Sequence, residues 1–491
     1  MTEVVDETAL WTSRELGRVL GSDVRAQWGC QGISIDSRTL KRGDLFFALS
    51  GPHFDGHDYV AEVFEKGAAG AVVSRPVAGA DPARLLMVKD VRAALVMLGR
   101  AGRDRVEVPV IAVTGSVGKT GVKEALRLAL GRDKKTHASI LSYNNEIGVP
   151  LSLARMPRDA AYGVFELGMN HKGELKELVR LVRPHVAIVT TVELAHSEFF
   201  ESVEDIADAK AEIFTAMTGP GVALLNRDND QYGRLRQRAE QAGVNKIVSF
   251  GNTPEADIHI LEQVLEETQS IVTANVNGKI MTYRIGLAGQ HWVLNSLAVL
   301  GAVDQVGGDL GLAGLALAEM APLKGRGQRH RIPLRPEKGT DRGKTTGDEA
   351  AFVLIDESYN ANPASMRAAL ASQGQITPAS QGRRIAVLGD MAELGSESAA
   401  LHAALADAVS AAGIERLYLI GTDMRHLGRV LEDKIFVAHF DTIEDLAQAL
   451  DADLRCDDVV MVKGSNASGM FRLVERMLDM TSPNVKKATN G

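Results

Sequence analysis

A glycine-rich loop that follows an apolar run constrains this chain more than any other feature. Val110–Val113 has the pattern of a short buried strand, and Thr114–Thr120 reads Thr-Gly-Ser-Val-Gly-Lys-Thr. A strand that enters such a loop, with a helix beginning at the lysine, directs backbone N–H groups and a helix N-terminus at phosphates. Lys119 would supply positive charge, and Thr120 would be available to Mg²⁺. The residues expected to contact nucleotide phosphates are Gly115, Ser116, Val117, Gly118, Lys119 and Thr120.

The spacing within the loop narrows the class of nucleotide-binding protein. The common phosphate-loop pattern has a glycine about six residues before the lysine. That position is Val113 here, and the first glycine is Gly115. The shortened loop is a poor match to kinases and GTPases, so a different class of nucleotide-dependent protein is expected.

The length of the chain and the alternation of strand and helix patterns along it predict three α/β domains. A prior of roughly 150 residues per domain suggests about three domains for 491 residues. We place an N-terminal α/β domain at residues 1–105, a central nucleotide-binding domain at 106–325 and a C-terminal Rossmann-like domain at 326–491. Strands that alternate with helices are typical of mostly parallel sheets. The central strands are expected at Val108–Val113, Gly163–Leu167, Val186–Val192, Gly221–Leu225 and Lys246–Phe250.

Two local signals refine this organisation. Ser270–Val276 and Lys279–Ile285 flank Asn277-Gly278, which predicts a type I′ hairpin and hence an antiparallel appendage to the central domain. Residues 322–335, rich in Pro, Gly, Arg and Lys, mark the second domain boundary. The polar residues 336–349 that follow are predicted to form an exposed loop.

Composition excludes several other classes of protein. A net charge of −8 argues against a general nucleic-acid binder, because tracking phosphates requires a basic surface. The two cysteines, Cys30 and Cys456, provide no disulfide framework and favour a reducing cytoplasm. No apolar stretch reaches the roughly 18–20 residues that a membrane span requires. These observations favour a cytoplasmic enzyme that acts on small molecules.

Three ionisable residues follow the predicted strands of the central domain. Glu166 ends one strand, His196 comes just past another, and Lys210 lies on an otherwise apolar and acidic helix. Ligands collect at the carboxyl ends of parallel strands, so these side chains can converge near the glycine loop. Taken singly, each is more typical of a surface residue or of a satisfied core residue.

The contexts of these residues resemble the Mur ligase family, which couples ATP cleavage to amide-bond formation. Phe165-Glu166-Leu167-Gly168-Met169, Ala195-His196 and Ala209-Lys210 look like the centre in which Glu and His bind Mg²⁺ and the lysine is carbamylated. The resemblance implies Thr120, Glu166, His196 and Lys210 as metal-site residues. Lys119, His196, Lys210 and Arg326 are implied as catalytic residues, with Arg326 swinging over the γ-phosphate.

The same resemblance implies contacts with nucleotide and substrates. Asn295 is expected to face adenine, although Trp292 stands where the family usually has Asn. Asp356, at a strand end, suits a ribose hydroxyl of ATP. Asp36-Ser37-Arg38 resembles the part of the family's N-terminal domain that binds UDP. The remaining substrate contacts are expected from Asn144, Asn145, Tyr359, Asn360 and Asn362.

Tyr359-Asn360-Ala361-Asn362-Pro363 narrows the resemblance to one branch of the family. That branch is an ADP-forming peptide ligase that adds D-alanyl-D-alanine to UDP-N-acetylmuramoyl-tripeptide in peptidoglycan synthesis, through an acyl phosphate. The implied fold is the three-domain Mur ligase architecture, and the chain is expected to be a monomer. Leu388–Gly395 and Val462–Ser465 agree with this branch, although Asn466 stands where Arg is usual.

Three alternatives compete with this reading. A sister ligase, adding the third peptide residue or acting on folates, would share the central domain. A nucleotide-binding switch is suggested by Asn226–Asp230, which superficially resembles the base reader of GTPases. A catalytically inactive relative would retain the fold without turnover. Dependence of ATP turnover on substrates would separate these classes.

Overall fold

The fold is known from a computed structural model that describes residues 9–194, 198–334, 350–379 and 382–479. Three main sheets follow one another along the chain. The predicted loop at 336–349 and the candidate ligand His196 lie outside the described residues. The domain boundaries at 105/106 and 325/326 stay predictions.

The central sheet has nine strands, and the glycine loop leaves one of its inner strands. In spatial order the strands are Thr136–Ala138, Tyr162–Glu166, Val110–Thr114, Val186–Val189, Val222–Asn226, Lys246–Gly251, Ile258–Leu265, Ser270–Val276 and Lys279–Ile285. The first seven pair in parallel and the last two join antiparallel. The helices of this segment are Lys119–Asp133, Gly148–Ala154, Glu174–Val182, Val203–Ala211, Tyr232–Gln241, Gln290–Gln305 and Leu310–Ala318. The five predicted central strands are confirmed to within a few residues.

The predicted hairpin is also confirmed, and it extends the central sheet. Asn277 and Gly278 have φ of 51° and 88°, the two positive values that a type I′ turn requires. Its strands pair with each other and then with Ile258–Leu265. The hairpin therefore continues the nine-stranded sheet. Burial on both faces of that sheet produces two apolar clusters, one around Ile111 and one around Ala112.

The C-terminal sheet has six strands, of which the first is an antiparallel edge. In spatial order the strands are Gln328–Pro333, Ala351–Glu357, Val459–Lys463, Arg384–Gly389, Arg416–Ile420 and Phe436–Phe440. The helices are Pro363–Gly374, Ser398–Ala403, Ala406–Ala411, Met424–Leu431, Ile443–Asp453 and Met470–Asp479. The sequence predicts strands at Phe352–Ile355, Arg384–Leu388, Arg416–Ile420 and Val459–Val462, which are confirmed, but not the two edge strands. Gln328–Pro333 carries two Arg and a His and sits in a stretch that resembles a linker, because an edge strand needs no continuous apolar run.

A parallel four-stranded sheet comes first in the chain. Its strands, in spatial order, are Gly32–Ser34, Asp44–Phe47, Gly70–Val73 and Leu85–Met87. Two short hairpin-like pairs join Trp11–Thr12 with Gly29–Cys30 and Ser50–Gly51 with Phe54–Asp55. The α-helices of this part are Ser13–Leu20, Val60–Glu65 and Val91–Asp104. Across the described ranges, no helix combines the length and the apolar character needed to cross a bilayer.

Candidate active site

A cleft of about 1500 Å³ lies between the glycine loop and the C-terminal sheet. One side, which we call the loop wall, consists of Ser116–Thr120, Ser142, Asn144, Asn145 and Glu166. The opposite side, the far wall, consists of Arg326, Glu357, Tyr359, Asn360 and Lys463. The cleft brings together most of the predicted site residues, namely Ser116, Val117, Gly118, Lys119, Thr120, Asn144, Asn145, Glu166, Asn295, Arg326, Tyr359, Asn360 and Asn362.

The glycine loop is locked against the neighbouring strand. Gly115 has φ of 147°, and a Cβ there would collide with the hydroxyl of Thr190. Gly118 has φ of 87° and precedes the helix that begins at Lys119. The Ser116 amide donates to Thr191 O at 2.8 Å, and its hydroxyl donates to Glu193 O at 3.0 Å. These bonds hold the loop open toward the cleft, so glycine is required at both positions.

Lys119 folds back over its own loop. Its Nζ donates to Gly115 O at 2.6 Å and to Ser116 O at 3.4 Å. Burial lowers the pKa of Lys119, and the nearby Arg326 lowers it further, whereas Glu166 raises it. A phosphate group in the cleft would supply the negative charge that this crowded cation lacks.

Glu166 is the acidic centre of the loop wall. Its side chain is 1% exposed, and Oε1 accepts from Asn144 Nδ2 at 2.7 Å. Its Oε2 has no hydrogen-bond partner among the described residues. Thr120 Oγ1 lies 3.2 Å from Ser142 Oγ on the same wall. A buried carboxylate oxygen without a partner, near a hydroxyl, fits a hard divalent cation. Within the described ranges no three His, Cys, Asp or Glu residues are grouped as metal ligands.

Lys210 lies behind the loop wall and does not line the cleft. It is 2% exposed, and burial lowers its pKa well below the usual value, with repulsion from Lys119 as the second cause. A neutral amine is the form that reacts with carbon dioxide. This environment is therefore compatible with the predicted carbamate, which stays a prediction.

Arg326 crosses from the far wall to the loop wall. Its Nη2 donates to Ser142 Oγ at 3.3 Å, beside Thr120. The guanidinium carbon lies 4.1 Å from the ring centroid of Tyr359, which holds the cation by its aromatic face. The arginine is thus placed where transferring phosphate would need positive charge.

Asp356 fixes the turn that carries Arg326. It is 2% exposed; Oδ2 accepts from the Gly325 amide at 3.0 Å, and Oδ1 accepts from the amide and hydroxyl of Ser358. The carboxylate does not line the cleft. Its predicted contact with ribose stays a prediction.

Three of the predicted substrate asparagines also build local structure. Asn362 caps the helix Pro363–Gly374 by accepting from the Ser365 amide at 2.8 Å. Asn145 Oδ1 accepts from the amide of Gly148 at 2.9 Å, where another helix begins. Asn360 bonds through its own side chain to the Ala361 amide at 2.9 Å. Capping explains why asparagine suits these positions even without a ligand.

The helix Gln290–Gln305 forms the end of the cleft where the adenine base is expected to bind. Asn295 lies against Gly118, where a Cβ would come 3.0 Å from its Oδ1. Trp292 packs against Gly121 and against the core below the sheet while its edge lines the cleft. The tryptophan therefore serves in packing, and Gly121 leaves the space that its ring occupies.

Of the N-terminal residues predicted to bind UDP, Arg38 is exposed and Asp36 and Ser37 are partly buried, and all three lie off this cleft. Arg38 donates to both oxygens of Asp36, at 2.9 and 2.7 Å, and Ser37 O accepts from Lys66. Among the charged residues that line the cleft but were not predicted as site residues are Glu357 and Lys463. The signal that could have found these two is their place at strand ends.

Comparisons with known proteins agree with this architecture. Residues 30–103 match the Mur ligase family, catalytic domain; residues 113–303 the Mur ligase middle domain; and residues 342–466 the Mur ligase, glutamate ligase domain. The UDP-N-acetylmuramoyl-tripeptide–D-alanyl-D-alanine ligase of Rickettsia prowazekii is 32% identical over 95% of this chain and 99% of its own length.

This chain is also similar to solved structures. MurF from Acinetobacter baumannii superposes with a TM-score of 0.78 at 28% identity, over 96% of this chain and 99% of that one. MurF from Thermotoga maritima in complex with ADP, at 24% identity, shares the fold with a TM-score of 0.71 over 91% and 97%. This chain belongs to the Mur ligase family, in its group of UDP-N-acetylmuramoyl-tripeptide–D-alanyl-D-alanine ligases.

Proposed function

We propose that this chain joins D-alanyl-D-alanine to UDP-N-acetylmuramoyl-tripeptide in an ATP-dependent step of peptidoglycan precursor synthesis. The observation that carries the proposal is the buried carboxylate of Glu166, which has one oxygen fixed by Asn144 and the other without a partner in the described chain. It shares a cleft with the glycine loop and with Arg326. That arrangement suits phosphoryl transfer to an acceptor that is itself an anion.

The chemistry balances in two steps. The terminal carboxylate of the tripeptide attacks the γ-phosphorus of ATP, and ADP leaves with the electron pair of the broken P–O bond. The amine of the dipeptide then attacks the acyl carbonyl, and phosphate leaves as the C–O bond breaks. The ammonium form of the dipeptide gives up two protons overall, one before its attack and one as the amide forms.

In the first step, the loop wall and Arg326 would both act on the phosphates of ATP. The loop amides and Lys119 would bind the β- and γ-phosphates, and Arg326 would stabilise the charge that spreads over the transferring group. Thr120 and Glu166 would hold Mg²⁺, with the predicted ligands His196 and carbamylated Lys210 completing the site. Bound there, the metal would neutralise the mutual repulsion of phosphate and carboxylate.

Some of the remaining contacts follow from position in the cleft, whereas those of Asp356, Asp36, Ser37 and Arg38, which lie off it, rest on the sequence alone. Asn295, at the base end, would face adenine, and Asp356 would approach the ribose. Asn144 and Asn145 would contact the sugar nucleotide beside the metal, and Asp36, Ser37 and Arg38 its UDP end. Tyr359, Asn360 and Asn362 would receive the dipeptide. We expect the enzyme to act as a monomer.

Phosphate release from ATP and Mg²⁺ tests this proposal, measured with the UDP-tripeptide alone, with D-alanyl-D-alanine alone and with both. Release that requires both substrates, with the pentapeptide product detected by mass spectrometry, is the expected result. Glu166→Gln should abolish it, because the amide lacks the charge that a cation requires. Release that needs neither substrate would instead identify a nucleotide switch, and release that needs another substrate pair would identify a sister ligase.

A further inference from the structure

Glu357 and Lys463 form a charged pair on the far wall that the reaction described above does not use. They are register partners at the carboxyl ends of the adjacent parallel strands Ala351–Glu357 and Val459–Lys463. Ligands of open α/β sheets bind at this edge. Both side chains line the cleft, next to Tyr359 and Asn360.

The two members of the pair differ in burial. The side chain of Lys463 is 3% exposed, whereas that of Glu357 is 25% exposed. Lys463 Nζ donates to Asn360 O at 2.9 Å and lies 3.5 Å from Glu357 Oε2. The lysine is therefore fixed behind the carboxylate, and the carboxylate is the member that a ligand can reach.

The second step of the proposed reaction needs a group with this character. An α-ammonium ion has no lone pair, so it must lose a proton before it can attack an acyl phosphate. Its usual pKa is about 8, which leaves much of it charged at neutral pH. A carboxylate held at the dipeptide end of the cleft could bind that cation and take its proton.

We propose that Glu357 binds the ammonium group of the incoming dipeptide and accepts its proton, and that Lys463 positions Glu357 for this task. The inference rests on the proposed function. The proton moves from the ammonium nitrogen to a Glu357 oxygen, and the freed lone pair forms the C–N bond. As phosphate leaves with the electrons of the C–O bond, the second proton of the nitrogen passes to the leaving phosphate, and Glu357 returns the first proton to water.

The charges around Glu357 agree with this role. Burial raises the pKa of Glu357, and neighbouring Asp356 adds to the rise, whereas Lys463 and Arg326 oppose it. The net direction is upward, so the carboxylate is a stronger base than an ordinary glutamate. The acid limb of the pH profile should accordingly lie above the usual titration range of Glu.

Glu357→Gln separates this inference from the function on which it rests. The steady-state parameters of each substrate should be measured across pH, together with hydroxylamine trapping of the acyl phosphate in the absence of dipeptide. Hydroxylamine is an uncharged nucleophile at pH 7 and needs no base. The control variant is Glu475→Gln, which removes another carboxylate that faces a lysine, Lys324, away from the cleft.

The expected result is a fall of about 100-fold in kcat/KM for the dipeptide, in the range of general-base catalysis, and loss of the acid limb. Tripeptide-dependent hydroxamate formation and the KM for ATP should match those of the wild type and of Glu475→Gln. An unchanged pH profile and dipeptide kcat/KM would overturn the inference, as would an equal loss of hydroxamate formation. Wild-type protein that forms no tripeptide-dependent hydroxamate would instead refute the proposed function.

Discussion

The loop wall and the far wall of the cleft hold their polar groups in different ways. On the loop wall, backbone bonds from Ser116 to the next strand and buried side chains fix each group from several directions. On the far wall, Arg326 rests on a half-exposed Tyr359 ring and reaches a single hydroxyl. The loop wall is therefore a rigid phosphate cradle, and the far wall is held by a few weaker contacts that domain motion could rearrange.

This difference predicts where substitutions act. Changes at Ser116, Thr120 or Glu166 of the loop wall should affect stability and every partial reaction, since these side chains are buried. Changes in the far wall should affect rate more than folding. Four measurements would test this difference between the two walls.

Lys119→Ala should lower kcat by about 1000-fold, because the phosphates lose a preorganised counter-charge in the cleft. The phosphate-release assay with both substrates measures it. Lys135→Ala, which removes a lysine paired with Asp159 away from the cleft, should behave like the wild type. Near-wild-type turnover of Lys119→Ala would mean that the loop does not bind the reacting phosphates.

Lys123→Met should lower the free energy of unfolding by about 3 kcal/mol, as expected when one partner of a buried pair is removed. This lysine is fully buried; it contacts Glu124 and donates to Ser139 O at 2.9 Å and to Leu141 O at 2.8 Å. It thus ties the loop before Ser142 to the glycine-loop helix.

The matched control for Lys123→Met is Arg127→Met. Arg127 pairs with the same Glu124 but is 47% exposed, so its loss should cost less than about 1 kcal/mol. Urea unfolding measures both variants. Equal effects would contradict a rigid loop wall built on buried groups.

Acidification should weaken the edge of the central sheet through His137. Its Nε2 contacts Ser152 O at 2.7 Å, and burial lowers its pKa to about 4. Between pH 6.5 and about 4 the unfolded chain binds this proton more readily, so this contribution to stability falls as pH falls, by on the order of 3 kcal/mol. His137→Gln should show a shallower loss in urea unfolding over this range; identical slopes would exclude the effect.

Tyr359→Leu should lower kcat by about threefold, because an exposed cation–π contact contributes roughly 0.5–1 kcal/mol. Tyr359→Phe keeps the ring under Arg326 and should retain the wild-type rate. Steady-state kinetics and thermal melting of both variants measure the change in kcat and in thermal stability. A large loss of thermal stability in Tyr359→Leu would show that the far wall is also structural.

Local patterns were sufficient for much of the fold. The apolar run at Val110, the Asn277-Gly278 turn and the alternating strands of both large sheets appear where the sequence predicts them. The edge strand Gln328–Pro333 was missed because its exposed, charged positions remove the continuous apolar signal. Phe436–Phe440 was missed although four of its five residues are apolar. Buried strands can thus be predicted from sequence patterns, whereas edge strands are predicted less well.

The two walls of the candidate site also differ in how far the sequence predicts them. The sequence by itself determined the phosphate cradle, because backbone amides and obligatory glycines at 115 and 118 act within one contiguous segment. Only the tertiary structure decided that Arg326 reaches Ser142 and that Glu357 stands beside Lys463, residues more than a hundred positions apart. The physical reason is that side-chain chemistry across a cleft depends on strand order and register, which short-range sequence patterns do not encode.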